Sequence, residues 1–107
     1  MIGWYVIHSK TAKENFVRTQ CCQRNIETYL PLMKVVSSRR TKKIPYFPGY
    51  LFIHVDLETT GRSTFDWMPG AIGFVSFGGE PARIPNKTME VLRGRIESDN
   101  QTALDED

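Results

Sequence analysis

The chain contains 107 residues, of which 40% are hydrophobic and 24% charged, which is typical of one soluble globular domain that needs no disulfide or metal. No apolar run approaches the length of a membrane span and no secretion signal opens the chain, so we expect a cytoplasmic protein without a membrane partner. The net charge is +2, but residues 1–96 alone carry +7, from 14 basic and seven acidic residues, which indicates a polyanionic surface among the partners.

The N-terminal quarter of the chain predicts a strand followed by a helix. Residues 3–9 are aromatic and β-branched, a composition typical of a strand. Thr11 and Glu14 have the spacing of a capping box, which satisfies free amides at a helix start. We therefore expect a helix over residues 12–24 that ends near Asn25, a residue that tolerates the left-handed conformation.

The next segment predicts extended chain and then a loop. Residues 26–36 are apolar enough for a strand, but Pro31 requires a bulge or an edge position. Residues 37–45 are expected to form a polar loop. This loop is either a phosphate-contacting arm or a solvated mobile segment, and its basic residues are Arg39, Arg40, Lys42 and Lys43.

The second half of the chain predicts strands, a short helix and a long helix. Residues 50–57 alternate like a strand, and residues 58–68 form a short helix before a Pro-Gly turn. A strand, a Gly-Gly turn and a short returning strand follow over residues 71–85. A last helix begins at residue 86 and presents one apolar side, formed by Met89, Leu92 and Ile96.

This order of elements predicts an α+β fold, a ferredoxin-like βαββαβ sandwich with an extra β-hairpin and a C-terminal helix. We place the folded domain at residues 1–97. Residues 98–107 are acidic and lack apolar anchors, so we expect them to form a disordered linker toward a domain that is absent from this chain.

The sequence contains none of the common catalytic motifs. His8 and His54 lie on different predicted strands, so structural roles are favoured over catalysis. An acylphosphatase-like enzyme would need an anion-binding loop with an arginine after the first strand, where this chain offers only Lys10. Cys21 and Cys22 are adjacent, a poor arrangement for a disulfide or a metal ion. We expect no enzyme activity, cofactor or metal, and a stand-alone nucleic-acid-binding module stays open.

The most specific cluster surrounds a Pro-Gly turn at the start of the strand at residues 50–57. It consists of Phe47, Pro48, Tyr50 and Phe52. Alternation places Leu51, Ile53 and Val55 on the opposite, core face. The aromatic residues either close the end of the sheet or line an apolar pocket for a partner helix, which Met89 and Leu92 would complete.

Three motifs then identify a family resemblance. "WYVIHSK", "FPGYLFIHVDL" and "MPGAIGFVSFGGEPARIP" occur in the order and spacing of the N-terminal (NGN) domain of the NusG family of transcription elongation factors. The resemblance covers about residues 3–97. The segment between the first helix and the second motif, and the "FGGEPARIP" turn, are more similar to the specialised paralog RfaH than to general NusG.

The resemblance implies a non-enzymatic elongation and antitermination factor that binds RNA polymerase as a monomer. Such a domain docks on the β′ clamp helices and the β gate loop, bridges the cleft, suppresses pausing and promotes read-through. The matching clamp-helix pocket comprises Phe47, Pro48, Tyr50 and Phe52, with Phe77, Met89 and Leu92 at positions that line it in RfaH.

The resemblance also implies two further contacts. The gate-loop contact matches Gly61, Arg62, Ser63 and Thr64, where RfaH carries His-Thr-Thr. Contact with the non-template DNA strand matches Lys10, Gln20, Gln23 and Arg24. Pro69 stands where an arginine would help such contact, so we expect general rather than sequence-specific binding. The C-terminal KOW domain of the family is absent from this chain.

Overall fold

The computed structural model describes the backbone of residues 1–105 and the side chains of residues 1–101. The elements in chain order are β1 Gly3–Ser9, α1 Glu14–Gln23, β2 Glu27–Tyr29, β3 Leu32–Ser37, β4 Arg40–Pro45, β5 Tyr50–Val55, α2 Leu57–Thr60, α3 Ser63–Asp66, β6 Ala71–Phe74, β7 Ser76–Phe77, β8 Glu80–Pro81 and α4 Asn86–Asp105. In this part of the chain no helix is long and apolar enough to cross a membrane.

The main sheet has four strands in the order β2-β5-β1-β6, and every neighbouring pair is antiparallel. The apolar strands β1 and β5 occupy its centre, with Tyr5 opposite Ile53. Two small two-stranded sheets, β3-β4 and β7-β8, stand apart from it. A four-stranded antiparallel sheet in this order is ferredoxin-like, so the predicted α+β fold class is confirmed.

The two faces of the sheet bury two different clusters. On one face Leu51 and Ile53 pack with Val17 of α1 and the fully buried Phe65 of α3. On the other face Phe52 packs with residues that include Met89 of α4. The alternation predicted for β5 is therefore confirmed, and each face of the central strands is covered at least in part by a helix.

Helix α1 begins differently from the prediction. Lys13 occupies the N-cap position and provides no side-chain cap, while Ala12 has a φ of 59°. The Glu14 carboxylate is buried and accepts a hydrogen bond from the Gly49 N–H at 3.1 Å. The predicted capping box is wrong, because the Glu14 carboxylate bonds the turn at Gly49 instead of the backbone at the start of its own helix. The predicted helix end is confirmed, since Asn25 has a φ of 58°.

Residues 37–45 were expected to be a loop, and this prediction is wrong. Residues 40–45 form β4, which pairs with β3 in an antiparallel hairpin. Ser38 and Arg39 form the two-residue turn, with φ values of 49° and 66°. Most of β4 is exposed, so it lacks the alternating apolar residues that mark a half-buried strand. The predicted interruption of the extended chain at Pro31 is confirmed, since β2 ends at Tyr29 and β3 begins at Leu32.

The expected helix over residues 58–68 is two short helices. They are α2 and α3, and Gly61 between them has a φ of 84° that continues neither helix. The small hairpin β7-β8 turns at the Gly-Gly pair, as predicted. On α4, Met89 and Ile96 are buried, so the predicted apolar side of this helix is also confirmed.

Helix α4 continues to Asp105, where the sequence predicted a disordered segment from residue 98. Asn100 bonds the backbone of β3, and Asp99 accepts a hydrogen bond from the Tyr46 hydroxyl at 2.9 Å. Polar contacts therefore hold the helix where apolar anchors are lacking, and the prediction of disorder is wrong for residues 98–105. Residues 106 and 107 lie outside the described residues, and the division into a domain and a linker stays a prediction.

Candidate functional site

An open apolar groove lies on the face of the sheet that also packs against α4, and we call it the FPGY groove. Its volume is about 320 Å³. Aliphatic and aromatic side chains line it: Val6, Phe47, Tyr50, Phe52, Val75 and Ile84. Because of this lining, the groove suits an apolar partner surface rather than an ion or a polar substrate.

The Pro-Gly pair beside the groove makes a tight turn. The Tyr50 N–H donates to the Phe47 carbonyl at 3.1 Å, and Gly49 has a φ of 86°. Proline followed by a left-handed glycine is the signature of a type II turn, which favours proline at its first central position and needs glycine or asparagine at its second. The Glu14 carboxylate accepts the Gly49 N–H, which fixes the turn against α1. The "FPGY" motif therefore aims two aromatic side chains, at Phe47 and Tyr50, into one groove.

Strand β1 holds the other side of the turn. The Ser9 N–H donates to the Gly49 carbonyl at 2.8 Å. The His8 ring stacks on the Tyr50 ring, with centroids 4.9 Å apart and planes 12° apart. This stacking restricts the Tyr50 side chain before any partner binds, which lowers the entropy lost on binding.

The aromatic residues of the groove have different depths. Phe52 is 8% exposed and forms the floor, whereas Tyr50 is 38% exposed and stands at the mouth. Phe47 is half-buried and meets Phe52 edge to face, with ring centroids 6.3 Å apart. A partner would therefore contact Phe47 and Tyr50 first and Phe52 only at the bottom.

The structure does not bring all the predicted pocket residues together. Pro48 borders a separate, smaller cavity of about 140 Å³ on the α1 side. Met89 is buried, and Leu92 is partly buried, in the cluster behind Phe52. Phe77 is 77% exposed on the β7-β8 hairpin and does not line the groove. Of the seven predicted residues, the groove gathers Phe47, Tyr50 and Phe52.

Sequence reasoning missed three aliphatic residues of the groove. Val6 pairs with Phe52 across β1 and β5, and the Val75 N–H donates to the Val6 carbonyl at 2.9 Å. Ile84 follows β8, and its N–H donates to the Trp4 carbonyl at 2.9 Å. Alternation along β1 is the signal that could have found Val6, because it puts Val6 on the same face as Trp4. The positions of Val75 and Ile84 depend on long-range pairing and carried no local signal.

The residues matched to the gate loop form the connection between α2 and α3. Gly61 makes the break, and the Arg62 guanidinium donates to the Gly79 carbonyl at 3.0 Å. The Thr64 hydroxyl donates to a backbone carbonyl of α2 at 3.1 Å, while Ser63 is exposed. Arg62 therefore ties this connection to the β7-β8 turn and keeps the segment at a fixed place on the surface.

The residues matched to DNA contact lie along and just before α1. Lys10, Gln23 and Arg24 are exposed. The Gln20 amide donates to the Pro69 carbonyl at 2.7 Å, so it already has an internal partner. The structure thus leaves Lys10 and Gln23 available on the surface. The exposed Arg24 guanidinium donates to the Gln20 carbonyl at 3.2 Å, and the Gln20 side chain connects α1 to the segment before β6.

Another cavity, of about 260 Å³, lies at the other end of the same sheet face as the FPGY groove. His54 contacts the Glu27 carboxylate at 2.8 Å, and its ring stacks on Trp4 at 4.6 Å. The Arg93 guanidinium lies 5.0 Å from the Trp4 ring and 4.5 Å from the Tyr29 ring. His54 is hydrogen-bonded, as the sequence predicted, and Arg93 joins α4 to the sheet through cation–π contacts.

The cysteines have different surroundings. Cys21 is fully buried beside Met68, and burial raises the pKa of its thiol to about 11. Cys22 is exposed on the next position of α1. Within the described residues no group of three or more His, Cys, Asp or Glu side chains is placed to hold a metal ion.

Comparison with known proteins agrees with the fold and the motifs. The family described as "Transcription termination factor nusG" matches residues 3–93. The transcription termination/antitermination protein NusG of Streptomyces coelicolor is 33% identical over 91 residues, covering 73% of this chain and 30% of that protein. The protein of the same name from Streptomyces galbus is also 33% identical over 91 residues, covering 73% of this chain and 29% of its own length.

A solved structure, described as domain interaction in Thermotoga maritima NusG, superposes with a TM-score of 0.62 at 22% identity. It covers 83% of this chain and 54% of that chain, and it shows the fold alone. The chain spans about 30% of the length of the curated relatives it matches. Because the family match extends over most of the chain, this chain belongs to the NusG family of transcription termination/antitermination factors.

Proposed function

We propose that this domain is a non-enzymatic elongation and antitermination module that binds RNA polymerase in the cytoplasm as a monomer. The FPGY groove would receive the β′ clamp helices. The observation that carries this proposal is the groove itself, an open volume of about 320 Å³ whose lining is aliphatic and aromatic. A protruding helix tip with apolar side chains is the kind of partner such a groove accommodates.

Burial of apolar area supplies the affinity in this arrangement. Each Å² removed from water contributes about 25 cal/mol, and a few central aromatic residues usually dominate. Tyr50 and Phe47 are the groove residues with both a large ring and remaining exposure. We therefore assign them the largest share of binding, with Phe52 as the floor and Val6, Val75 and Ile84 as the aliphatic walls.

The other predicted pocket residues receive indirect roles in this proposal. Pro48 presets the turn that aims Phe47 and Tyr50. Met89 and Leu92 support the groove from the cluster behind its floor. Phe77 lies outside the groove and provides no contact to a helix seated in it.

We also propose that the connection between α2 and α3 contacts the β gate loop, so that the domain bridges the cleft. Ser63 and part of the Arg62 side chain are exposed there, while Thr64 and Gly61 shape the connection. Lys10 before α1, and Gln20, Gln23 and Arg24 at its C-terminal end, would contact the non-template DNA strand through their charges and amides. We further propose that the domain is closer to RfaH than to general NusG, with suppressed pausing and read-through as the outcome.

The direct test measures binding to a β′ clamp-helix fragment by wild-type protein, Phe47→Ala and Phe77→Ala. Both variants remove the same side chain, but only Phe47 lines the groove. We expect Phe47→Ala to weaken binding by about 1–3 kcal/mol, as for a central aromatic residue, and Phe77→Ala to bind like the wild type. If folded Phe47→Ala binds as tightly as the wild type, the groove assignment is refuted. If Phe77→Ala binds more weakly, the partner also contacts Phe77, as the predicted seven-residue pocket implies.

A further inference from the structure

The β7-β8 hairpin connects two regions of the surface that the proposed function assigns to different parts of the polymerase. Its base carries Val75 and Ile84, two of the aliphatic walls of the FPGY groove. Its turn is bonded by the Arg62 guanidinium, which donates to the Gly79 carbonyl at 3.0 Å. Arg62 belongs to the connection between α2 and α3 and does not line the groove. One hairpin therefore joins both proposed polymerase-binding surfaces.

The hairpin has few interactions of its own. Each of its strands is two residues long. Residues 77–80 are exposed, and a Cβ placed on Gly78 or Gly79 would meet no atom within 4 Å. An isolated two-stranded hairpin is at best marginally stable in water. Contacts with the rest of the domain are therefore needed to hold the turn in one place.

Backbone hydrogen bonds hold the base of the hairpin. The Val75 N–H donates to the Val6 carbonyl at 2.9 Å, and the Ile84 N–H donates to the Trp4 carbonyl at 2.9 Å. The Ala82 N–H donates to the Val75 carbonyl, also at 2.9 Å, and closes the hairpin. Val75 is thus shared by the hairpin and the groove. A change in the position of the hairpin therefore reaches the groove wall through this residue.

Arg62 restrains the other end of the hairpin. The Asp66 carboxylate lies 3.7 Å from the Arg62 Nε, one helical turn away, and orients the guanidinium. The guanidinium then reaches the Gly79 carbonyl, 17 positions further along the chain. Because no neighbouring atom would contact a side chain at this turn, the hydrogen bond from Arg62 supplies a restraint that packing does not.

We propose that Arg62 is a positioning residue, which keeps the FPGY groove in its binding-competent shape by holding the turn of the β7-β8 hairpin. This role rests on the proposed function, because the groove and the α2-α3 connection are its two polymerase contacts. A gate loop that binds this connection while Arg62 stays on Gly79 favours the hairpin position that the clamp-helix contact needs. Since linkage between two sites is reciprocal, each contact strengthens the other. The coupling cannot exceed the free energy that the Arg62 bond contributes.

The experiment compares the wild type, Arg62→Gln and Arg95→Gln in two measurements. Arg95→Gln is the matched control, because it removes the same charge from an exposed position of α4. Hydrogen exchange of the Ala82 and Ile84 amides, measured without any partner, reports on the order of the hairpin. Binding to a β′ clamp-helix fragment reports on the groove. This fragment contains no gate loop, so Arg62 has no gate-loop partner in the assay.

We expect Arg62→Gln to speed exchange of the Ala82 amide by about 2- to 13-fold, the factor that one net hydrogen bond contributes to an equilibrium constant. Binding of the fragment should weaken by a factor in the same range. Arg95→Gln should match the wild type in both measurements. Faster exchange with unchanged binding overturns the link to the groove, and weaker binding with unchanged exchange overturns the positioning role. An equal loss in Arg95→Gln attributes the effect to charge and also overturns it.

Phe47→Ala, measured beside these variants, separates the role of Arg62 from the proposed function. If Phe47→Ala weakens binding of the fragment and Arg62→Gln does not, the groove stands and the positioning role of Arg62 is refuted. If Phe47→Ala binds like the wild type, the groove assignment is refuted and the role of Arg62 is refuted with it.

Discussion

Asn100 provides the sharpest test of how the C-terminal helix is held. Its side-chain amide donates to the Leu32 carbonyl at 2.8 Å and accepts the Lys34 N–H at 2.9 Å. Both backbone groups point away from β4, so Asn100 satisfies the free edge of the hairpin. Replacement by alanine leaves these two partly buried backbone groups without their protein partner.

The expected loss of stability follows from two opposing contributions. Each hydrogen bond contributes a net of about 0.5–1.5 kcal/mol, so removing both costs about 1–3 kcal/mol. Alanine has the higher helix propensity and returns up to roughly 0.7 kcal/mol. We therefore expect Asn100→Ala to lower the free energy of unfolding by about 1–2 kcal/mol, with a drop in Tm of about 4–8 °C per kcal/mol.

Denaturant unfolding measures the free energy of unfolding of the whole domain, and hydrogen exchange measures the protection of individual amides. The Lys34 amide should lose protection in Asn100→Ala, because its acceptor is removed. Gln101→Ala is the control, since Gln101 is the next residue on the same helix and its side chain is exposed. If both variants are equally stable and the Lys34 amide stays protected, polar contacts do not anchor the end of α4.

Burial and backbone conformation carry two more predictions. Burial raises the pKa of the Cys21 thiol from 9.0 to about 11, so the contribution of this thiol to stability is present below pH 9 and is lost as the pH rises toward 11. At about pH 8 iodoacetamide should modify the exposed Cys22 alone. Modification of Cys21 in the native protein, detected by mass spectrometry, would contradict this. Gly70→Ala should lower stability by at least about 1 kcal/mol, because φ is 86° and the added Cβ would lie 2.9 Å from the Phe16 ring; an unchanged thermal midpoint argues against this strain.

The sequence correctly predicted β5 and the Pro-Gly turn before it, because both are determined by residues that are close together in the chain. Alternation in β5 follows directly from strand geometry, and the structure places Leu51 and Ile53 on the opposite face from Phe52. The left-handed Gly49 is required by the turn type alone. Neither feature depends on which distant segment packs nearby.

The hairpin and the end of α4 were missed because neither is held by apolar burial. Most of β4 is exposed, so the only sequence signal was a run of basic residues. The end of α4 depends on one asparagine and on an aspartate bonded to Tyr46, contacts between residues more than 50 positions apart. Polar contacts at such separation leave no periodic pattern in the sequence.

The candidate site was predicted in part for the same reason. Phe47, Tyr50 and Phe52 are close in sequence, and the turn between them sets their direction. Phe77 has a suitable residue type but lies on a separate hairpin, whose orientation is fixed by long-range pairing. The resemblance to RfaH had added Phe77 to the pocket, and this position lies outside the groove.

The floor of the groove is also part of the core, and this affects how the proposed docking can be tested. Phe52 lines the groove and packs with Trp4 and Met89, so its position is set before any partner binds. A preformed floor reduces the ordering cost of binding. The same sharing makes Phe52→Ala ambiguous, because a cavity in the core costs about 3–5 kcal/mol by itself. Phe47 and Tyr50 keep exposed surface at the mouth, so changes there separate contact with the partner from stability of the fold.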